Sequence, residues 1–293
     1  MSDITHEAGF VEVGDRCWVA RWDFLDVNVG LVGGERGLLV VDTQASEPEA
    51  RKVVDAVRRL GAGDVVAVVN THVHFDHTFG NAVLSETYGA PPVLAHEDAA
   101  AAFEEHAEQV RAQAAADADD PRYAAVAATR LRAPTQTFSS AKVVDLGDRL
   151  VEVIHPGRGH TAGDAVVRVG DADVVFAGDV VEESAARSAV PGFGEDCFPM
   201  EWPASLDLLV GMLGEAPVVV PGHGAPVDKD FVQEQRSAIG VVAETIRDLA
   251  SRGVPPADAL DAADWPYPRE ELRHAVARGY AHLPRGTRSL PLL

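Results

Sequence analysis

The chain reads as an α/β protein, on three observations. Short runs rich in Val and Leu alternate with alanine-rich or amphipathic stretches of helical length. Several of these apolar runs lead into a His or Asp beside glycine, so that a strand hands a polar side chain to a tight turn. The stretch Thr71-His72-Val73-His74-Phe75-Asp76-His77 places three imidazoles and a carboxylate close together at the end of such a run.

In chain order, strands are expected over residues 9–21, 26–33 and 37–42, the last being Leu38-Leu39-Val40-Val41 ending in Asp42. A helix over 47–60 follows, with Ser46 placed to cap it. Strand 64–70 delivers the histidine-rich segment, and a helix begins near Thr78. A short strand at 92–95 precedes the stretch 97–118, where Ala99-Ala100-Ala101-Ala102 strongly favours helix. Asp119-Asp120-Pro121 breaks it, and Pro121 suits the first position of a helix running to about Leu131. Strand hairpins over 137–155 and 164–178, a helix over 203–213 and strand 217–220 come next. Helices over 228–252, 256–263 and 268–282 complete the chain.

At 293 residues and 46% hydrophobic content the chain can bury a substantial core. The polar groups of interest are scattered from residue 72 to 223 and must converge, so a single domain over 1–293 is expected. It carries a helical insertion at about 97–135 and C-terminal helices at about 228–282. A net charge of −21 with no basic run excludes a nucleic-acid partner. Residues 1–7 lack a basic start followed by an apolar stretch, so no signal peptide is expected, and no apolar run reaches membrane-spanning length. Cys17 and Cys197 are isolated and read as free thiols of a cytoplasmic protein.

Side chains two apart on extended backbone point the same way, so His72 and His74 form one pair. A turn at Phe75 then redirects Asp76 and His77 into a second. Imidazole and carboxylate are donors that zinc accepts, and to a lesser degree iron or manganese. His160 in Gly159-His160-Thr161-Ala162-Gly163-Asp164, Asp179 closing Val174-Val175-Phe176-Ala177-Gly178-Asp179, and His223 in Pro221-Gly222-His223-Gly224 repeat the pattern of strand followed by donor. One or two metal ions at a strand end are the expectation.

The series HxHxDH, GHTxGD, FAGD and PGHG, in this order, resembles the metallo-β-lactamase superfamily over roughly residues 10–250. The resemblance implies a four-layer αββα sandwich of two mixed sheets, with the metal site at one edge. It implies that His72, His74 and His160 hold one metal, that Asp76, His77 and His223 hold another, and that Asp179 bridges them. Asp42, Thr161 and Asp164 would support these residues by hydrogen bonds. Two zinc ions are the implied cofactors, with iron or manganese as substitutes. The implied activity is hydrolysis of a small organic ester, thioester, lactone or amide by a hydroxide shared between the ions and oriented by Asp76.

Departures narrow this. Asp179 stands where many lactamases carry a cysteine, and lactamases of the all-His/Asp type usually lack a bridging Asp, so β-lactams are not the expected substrate. His74 stands where diiron redox relatives carry Glu. No cluster of Lys, Arg and Tyr for glutathione occurs near the carboxyl end. The alternative reading is an oxidoreductase similar to mononuclear iron sulfur dioxygenases of the same superfamily; a third is a non-catalytic, metal-stabilised binding protein.

The loop 181–202 holds Glu182, Glu183, Arg187, Phe193, Phe198 and Trp202. Phe193, Phe198 and Trp202 are candidates for an apolar wall of the substrate pocket, unless Phe198 and Trp202 anchor the loop to the core. The insertion 97–135 is either a lid contributing Phe103 or Tyr123 to the pocket, or a decorating pair of helices on the surface or against a second subunit in a homodimer. His6, His96, His106, His274 and His282 lack the donor pattern and read as ordinary residues, and His155 as a structural one.

Overall fold

The computed structural model describes residues 9–117 and 119–283; His6 and the leading residues 1–7 lie outside them. The first half builds a sheet that begins as an antiparallel meander, β1 (Val11–Gly14), β2 (Cys17–Arg21), β3 (Asn28–Gly34) and β4 (Gly37–Val41). It continues in parallel through β5 (Val65–Val69), β6 (Val93–His96) and β7 (Gln136–Phe138). The connections are helical: α1 (Glu47–Leu60), then α2 (Phe75–Thr78) and α3 (Asn81–Thr87), then α4 (Glu97–Ala116) and α5 (Pro121–Ala128).

The second half lays down the antiparallel strands β8 (Ala141–Asp145), β9 (Leu150–Ile154), β10 (Val166–Val169) and β11 (Val174–Glu182). After α6 (Trp202–Met212), strand β12 (Val218–His223) pairs in parallel with β11. Helices α7 (Lys229–Ser251), α8 (Pro256–Ala259) and α9 (Arg273–His282) follow. The two mixed sheets face each other across Val19, Leu39, Val69 and Phe138 on one side and Val153, Val167, Val174 and Phe176 on the other. Helices α1 and α3 cover the outer face of the first sheet through Val53, Val57 and Leu84. Helices α6 and α7 cover the outer face of the second through Trp202, Leu206, Ile239 and Ile246. This is the expected αββα sandwich.

Local details differ from the sequence reading for identifiable reasons. The run 9–21 is two strands, because Asp15 and Arg16 turn the chain back; Arg16 adopts φ 50° and its N–H is taken up by Glu12 Oε1. Ser46 holds the N-cap position of α1 but makes no capping bond; the free N–H of Glu47 goes instead to Thr129 Oγ1 (3.1 Å). Pro121 opens α5 as expected, with Asp120 capping the Arg122 N–H. The hairpin expected over 137–155 divides between sheets: β7 closes the first, whereas β8 and β9 form the hairpin at the edge of the second.

The insertion packs inward. Phe103, Ala107 and Ala114 of α4 join Phe24, Val73 and Phe79 in a separate apolar cluster beside the histidine-rich turn. Phe103 is therefore core, and Tyr123 sits edge-on against Phe24. Neither lines the cavity described below, so α4 is a wall behind the turn. Among the described residues no helix is long and apolar enough to cross a membrane.

Candidate metal centre

Four strand ends meet at one edge of the sandwich. Beyond β5 the chain runs through Asn70 and Thr71 into His72, and Asp42, just past β4, clamps this turn. Asp42 Oδ1 accepts the Thr71 N–H (2.7 Å), and its Oδ2 accepts both Thr71 Oγ1 (2.8 Å) and His77 Nδ1 (2.8 Å). Asp42 adopts φ 64°, a strained pose that these bonds sustain. Helix α2 starts at Phe75, earlier than expected, because extended His74 serves as its N-cap residue and Thr78 Oγ1 bonds back to His74 O (3.0 Å). Asp76 and His77 are thereby swung to face the second sheet.

From that sheet come the remaining donors. Strand β11 does not stop at Asp179 but runs on to Glu182, with its register against β12 broken around Gly178. Gly178 has φ 53°, and a Cβ there would meet Thr71 at 2.7 Å, so the two halves of the site touch through a glycine. Gly222 is tighter still: its Cβ would lie 1.8 Å from Asp179 Oδ1. His223 is the last residue of β12 rather than part of a loop.

These residues converge. His160 Nε2 lies 2.9 Å from His74 Nδ1, and His77 Nε2 lies 3.3 Å from His223 Nε2. Between the pairs sits Asp179, its Oδ2 3.1 Å from His223 Nε2, 3.5 Å from His160 Nε2 and 4.0 Å from His72 Nε2. Its Oδ1 faces His77 Nε2 at 3.2 Å. Asp76 Oδ2 stands 3.4 Å from His223 Nε2. Two compact donor groups result, His72 with His74 and His160, and Asp76 with His77 and His223; Asp179 joins His72 and His77 in a third.

The nitrogen of each ring that faces away is also held. His72 Nδ1 bonds Thr71 Oγ1, His74 Nε2 bonds Asp196 Oδ2 (3.0 Å), and His77 Nδ1 bonds Asp42. His160 Nδ1 bonds Gly192 O and His223 Nδ1 bonds Leu25 O, both at 2.8 Å. Each outer acceptor fixes a tautomer that leaves the inner nitrogen with a lone pair, the arrangement that metal-binding histidines need. Asp164 supports His160 indirectly: its Oδ1 accepts the Thr161 N–H (2.9 Å) and Oγ1 (2.6 Å).

Burial sets the electrostatics. It holds His72 well below and His160 down to about 4, so both rings stay neutral. For His77 burial opposes charging, but Asp179, Asp76 and Asp42 outweigh it and raise the ring well above its ordinary value. Asp179 is the converse: burial favours the neutral acid, and His223, His77 and His72 hold it well below the usual carboxylate range. Burial lifts Asp164 and Glu182 to about 7.

Two atoms test whether the cluster suits a cation. His72 Nε2 and Asp179 Oδ1 are buried and make no hydrogen bond, in a fold that partners the other side of every ring. Lone pairs aimed at one another repel unless a cation lies between them. Imidazoles and carboxylates in groups of three, with donor atoms within 4.8 Å of one another, fit a zinc-like ion.

A cavity of about 610 Å³ opens onto His74 and His160, and Arg187, Phe193, Arg273 and His274 contribute to its wall. Of the expected aromatics only Phe193 lines it. Trp202 is fully buried and donates Nε1–H to Val180 O (3.1 Å), anchoring α6. Phe198 is sandwiched among Arg158, Arg278 and His282. Both correct the pocket expectation, since helices α6 and α9 claim these rings for packing.

Two histidines read as ordinary are at the centre's border: His274 in the cavity wall, and His106, whose ring stacks on His74. His106 had a legible signal, because it falls on the helix face of Ala99, Phe103 and Val110. Glu182, Arg187 and Asp196 also reach the centre; only the apolar Val180-Val181, carrying β11 past Asp179, hinted at Glu182. His155 is structural, donating Nδ1–H to Asp164 O (2.7 Å) and stacking on His96.

Comparison with known proteins agrees with this geometry. The chain is 23% identical to a metallo-beta-lactamase type 2 of Bacillus cereus, over 67% of this chain and 66% of that one. It is 25% identical to a linear primary-alkylsulfatase of a Pseudomonas species, over 85% of this chain and 54% of that one. It thus spans about two thirds or less of the length of these relatives. A solved double mutant of the sec-alkyl sulfatase PisA1 superposes with TM-score 0.72 at 18% identity, covering 93% of this chain and 49% of that one. The model of the metallo-beta-lactamase superfamily matches residues 22–223, a span that closes on His223 and holds all seven converging side chains. This protein belongs to the metallo-beta-lactamase superfamily.

Proposed function

We propose that the chain is a metal-dependent hydrolase of a small organic ester, thioester, lactone or amide. The observation that carries this is the convergence of His72, His74, Asp76, His77, His160, Asp179 and His223, with His72 Nε2 and Asp179 Oδ1 buried and unbonded. His72, His74 and His160 would hold one divalent cation and Asp76, His77 and His223 a second, with Asp179 between; zinc suits the donor set. Such ions supply an activated water and polarise the electrophile.

The chain's own groups do the rest. Asp179, held ionised, stands between the groups, its Oδ1 3.2 Å from His77 Nε2 and its Oδ2 3.1 Å from His223 Nε2 and 3.5 Å from His160 Nε2. Asp76 accepts the proton-bearing edge of the attacking water and orients it towards the cavity. Asp42 and Asp196 hold His77 and His74 in the tautomers that point lone pairs inward. Phe193 and its neighbours in the 190–194 segment, together with Arg273 and His274, line the cavity that would take the substrate's organic part. Buried free thiols at Cys17 and Cys197 suit the reducing cytoplasm.

A second reading, hydrolysis of an alkyl sulfate ester, is favoured by one observation. The match to the alkylsulfatase extends over more of this chain than the match to the lactamase. A panel of esters, thioesters, lactones, β-lactams and alkyl sulfates at fixed zinc separates the two. Turnover of a carbonyl substrate, lost with chelator, supports the first; turnover of alkyl sulfates alone replaces it.

A further inference from the structure

Arg187 reaches past the cavity wall into the second donor group. Its Nη1 lies 3.0 Å from His223 Nε2 and 3.7 Å from Asp76 Oδ2, and its Nη2 lies 3.8 Å from Asp179 Oδ2. Its Nε pairs with the buried Glu182 Oε2 at 3.2 Å. The same Nη1 lies 3.4 Å from His223 Nδ1, so the guanidinium sits across the ring beside both nitrogens, and Asp179 Oδ2 is 3.1 Å from Nε2. A cation at a zinc–nitrogen distance of about 2.0–2.1 Å from Nε2 would stand next to this guanidinium. Arginine keeps its charge at any working pH, so guanidinium and metal repel each other at this range and the group favours one of them at a time.

The inward pose is built into the loop. Arg187 ends a 3₁₀ turn, Ala185–Arg187, and the two residues after it, Ser188 and Ala189, adopt φ 66° and 49°. Such left-handed conformations are unfavourable for side-chain-bearing residues and persist only when held. Here Ala189 N–H bonds Ser184 O (2.8 Å), and Ser184 is itself buried and bonded through Oγ to Asp26. The way out is also present, since Arg187 lines the cavity and has room to withdraw into it.

We propose that Arg187 and the second cation occupy the Asp76, His77 and His223 group in alternation. The first group, His72 with His74 and His160, then fills at low metal concentration with Arg187 in place. The second fills only when Arg187 swings into the cavity, which makes the dinuclear state conditional on metal supply. This rests on the metal-dependent reading above and adds an order of loading to it.

The test is cobalt(II) titration against a competing chelator, followed by native mass spectrometry and visible absorption. The proteins are the full chain, Arg187→Gln and Arg187→Lys, each checked for folding by circular dichroism. In the full chain the second cobalt should bind at least about tenfold more weakly than in Arg187→Gln. The first cobalt should bind all three proteins alike, and Arg187→Lys should keep the second one weak. Equal affinities for both ions in the full chain, or no tightening in Arg187→Gln, overturns the proposal while leaving metal binding intact. Absence of cobalt from all three proteins overturns the metal reading and this proposal together.

Discussion

His106 stacks on His74, their ring centroids 5.0 Å apart and their planes inclined by 27°. This places a residue of the insertion directly behind a proposed donor. The His106 ring is held neutral, down to about 4, first by burial and then by His74, so it packs as an apolar plate. Replacing His106 by Ala should loosen His74 and weaken the first cation about tenfold, the lower end of what losing a ligand's support costs. Chelator competition measures this, and an unchanged affinity would show that α4 is mere decoration.

His74→Ala and His223→Ala should each lose metal and activity together. Elemental analysis of protein saturated with zinc and then freed of excess metal reads the first, turnover of the best panel substrate the second. Asp179→Ala should fall below two metals per chain; retention of both would remove it from between the two groups. Near-stoichiometric iron with oxygen consumption would redirect the assignment to an oxidoreductase.

Asp42 holds three buried donors at once, two on Thr71 and one on His77. Asp42→Ala should therefore cost about 3–5 kcal/mol, as buried donors are left unsatisfied. A drop in Tm on the order of 10 °C in a melting scan is the expected reading. A shift within about 0.5 kcal/mol, typical of exposed positions, would deny the clamp.

Gly222→Ala should lower the metal content below two per chain, because the added methyl would sit 1.8 Å from Asp179 Oδ1 and displace it. The strand pairing of β11 with β12 lies mostly N-terminal to this point, so the far-ultraviolet spectrum should be retained. Normal metal content in this variant would contradict the close approach.

Glu47 ties the start of α1 to the segment after α5. Hydrogen bonds from Arg130 pull its carboxyl down to about 2, against the opposing effect of burial. A depressed carboxylate stabilises the fold above its ordinary value of 4.5, and that contribution fades as pH falls towards 2. The Tm of the protein should therefore exceed that of Glu47→Gln at pH 6 and converge with it near pH 2. Parallel curves over that range would remove the pair from the acid response.

Much of the architecture was legible because strands and helices write their exposed and buried faces into local periodicity. The seven converging side chains were legible from their settings, since His72, His74, Asp76 and His77 cluster just after an apolar run and His160, Asp179 and His223 each follow a glycine. The misread details share another cause. Phe198 and Trp202 were assigned to the cavity because they follow Asp179 in sequence, whereas α6 and α9 bury or stack them from the other side. Asp196 left no mark at all, since its hydrogen bond to the centre is to His74, 122 positions away.

By itself, the order of residues determined the α/β class and the chemical types that gather at one edge, because both follow from short-range patterns of polarity; the sandwich was implied by the resemblance of the motif series. Tertiary packing alone decided which nitrogen of each imidazole faces inward, that His106 backs His74, and that Arg187 enters the second donor group. Those choices depend on hydrogen-bond acceptors and backbone turns supplied by elements distant in sequence, such as Leu25, Gly192 and Ser184. No local pattern can encode a direction that only a distant partner imposes.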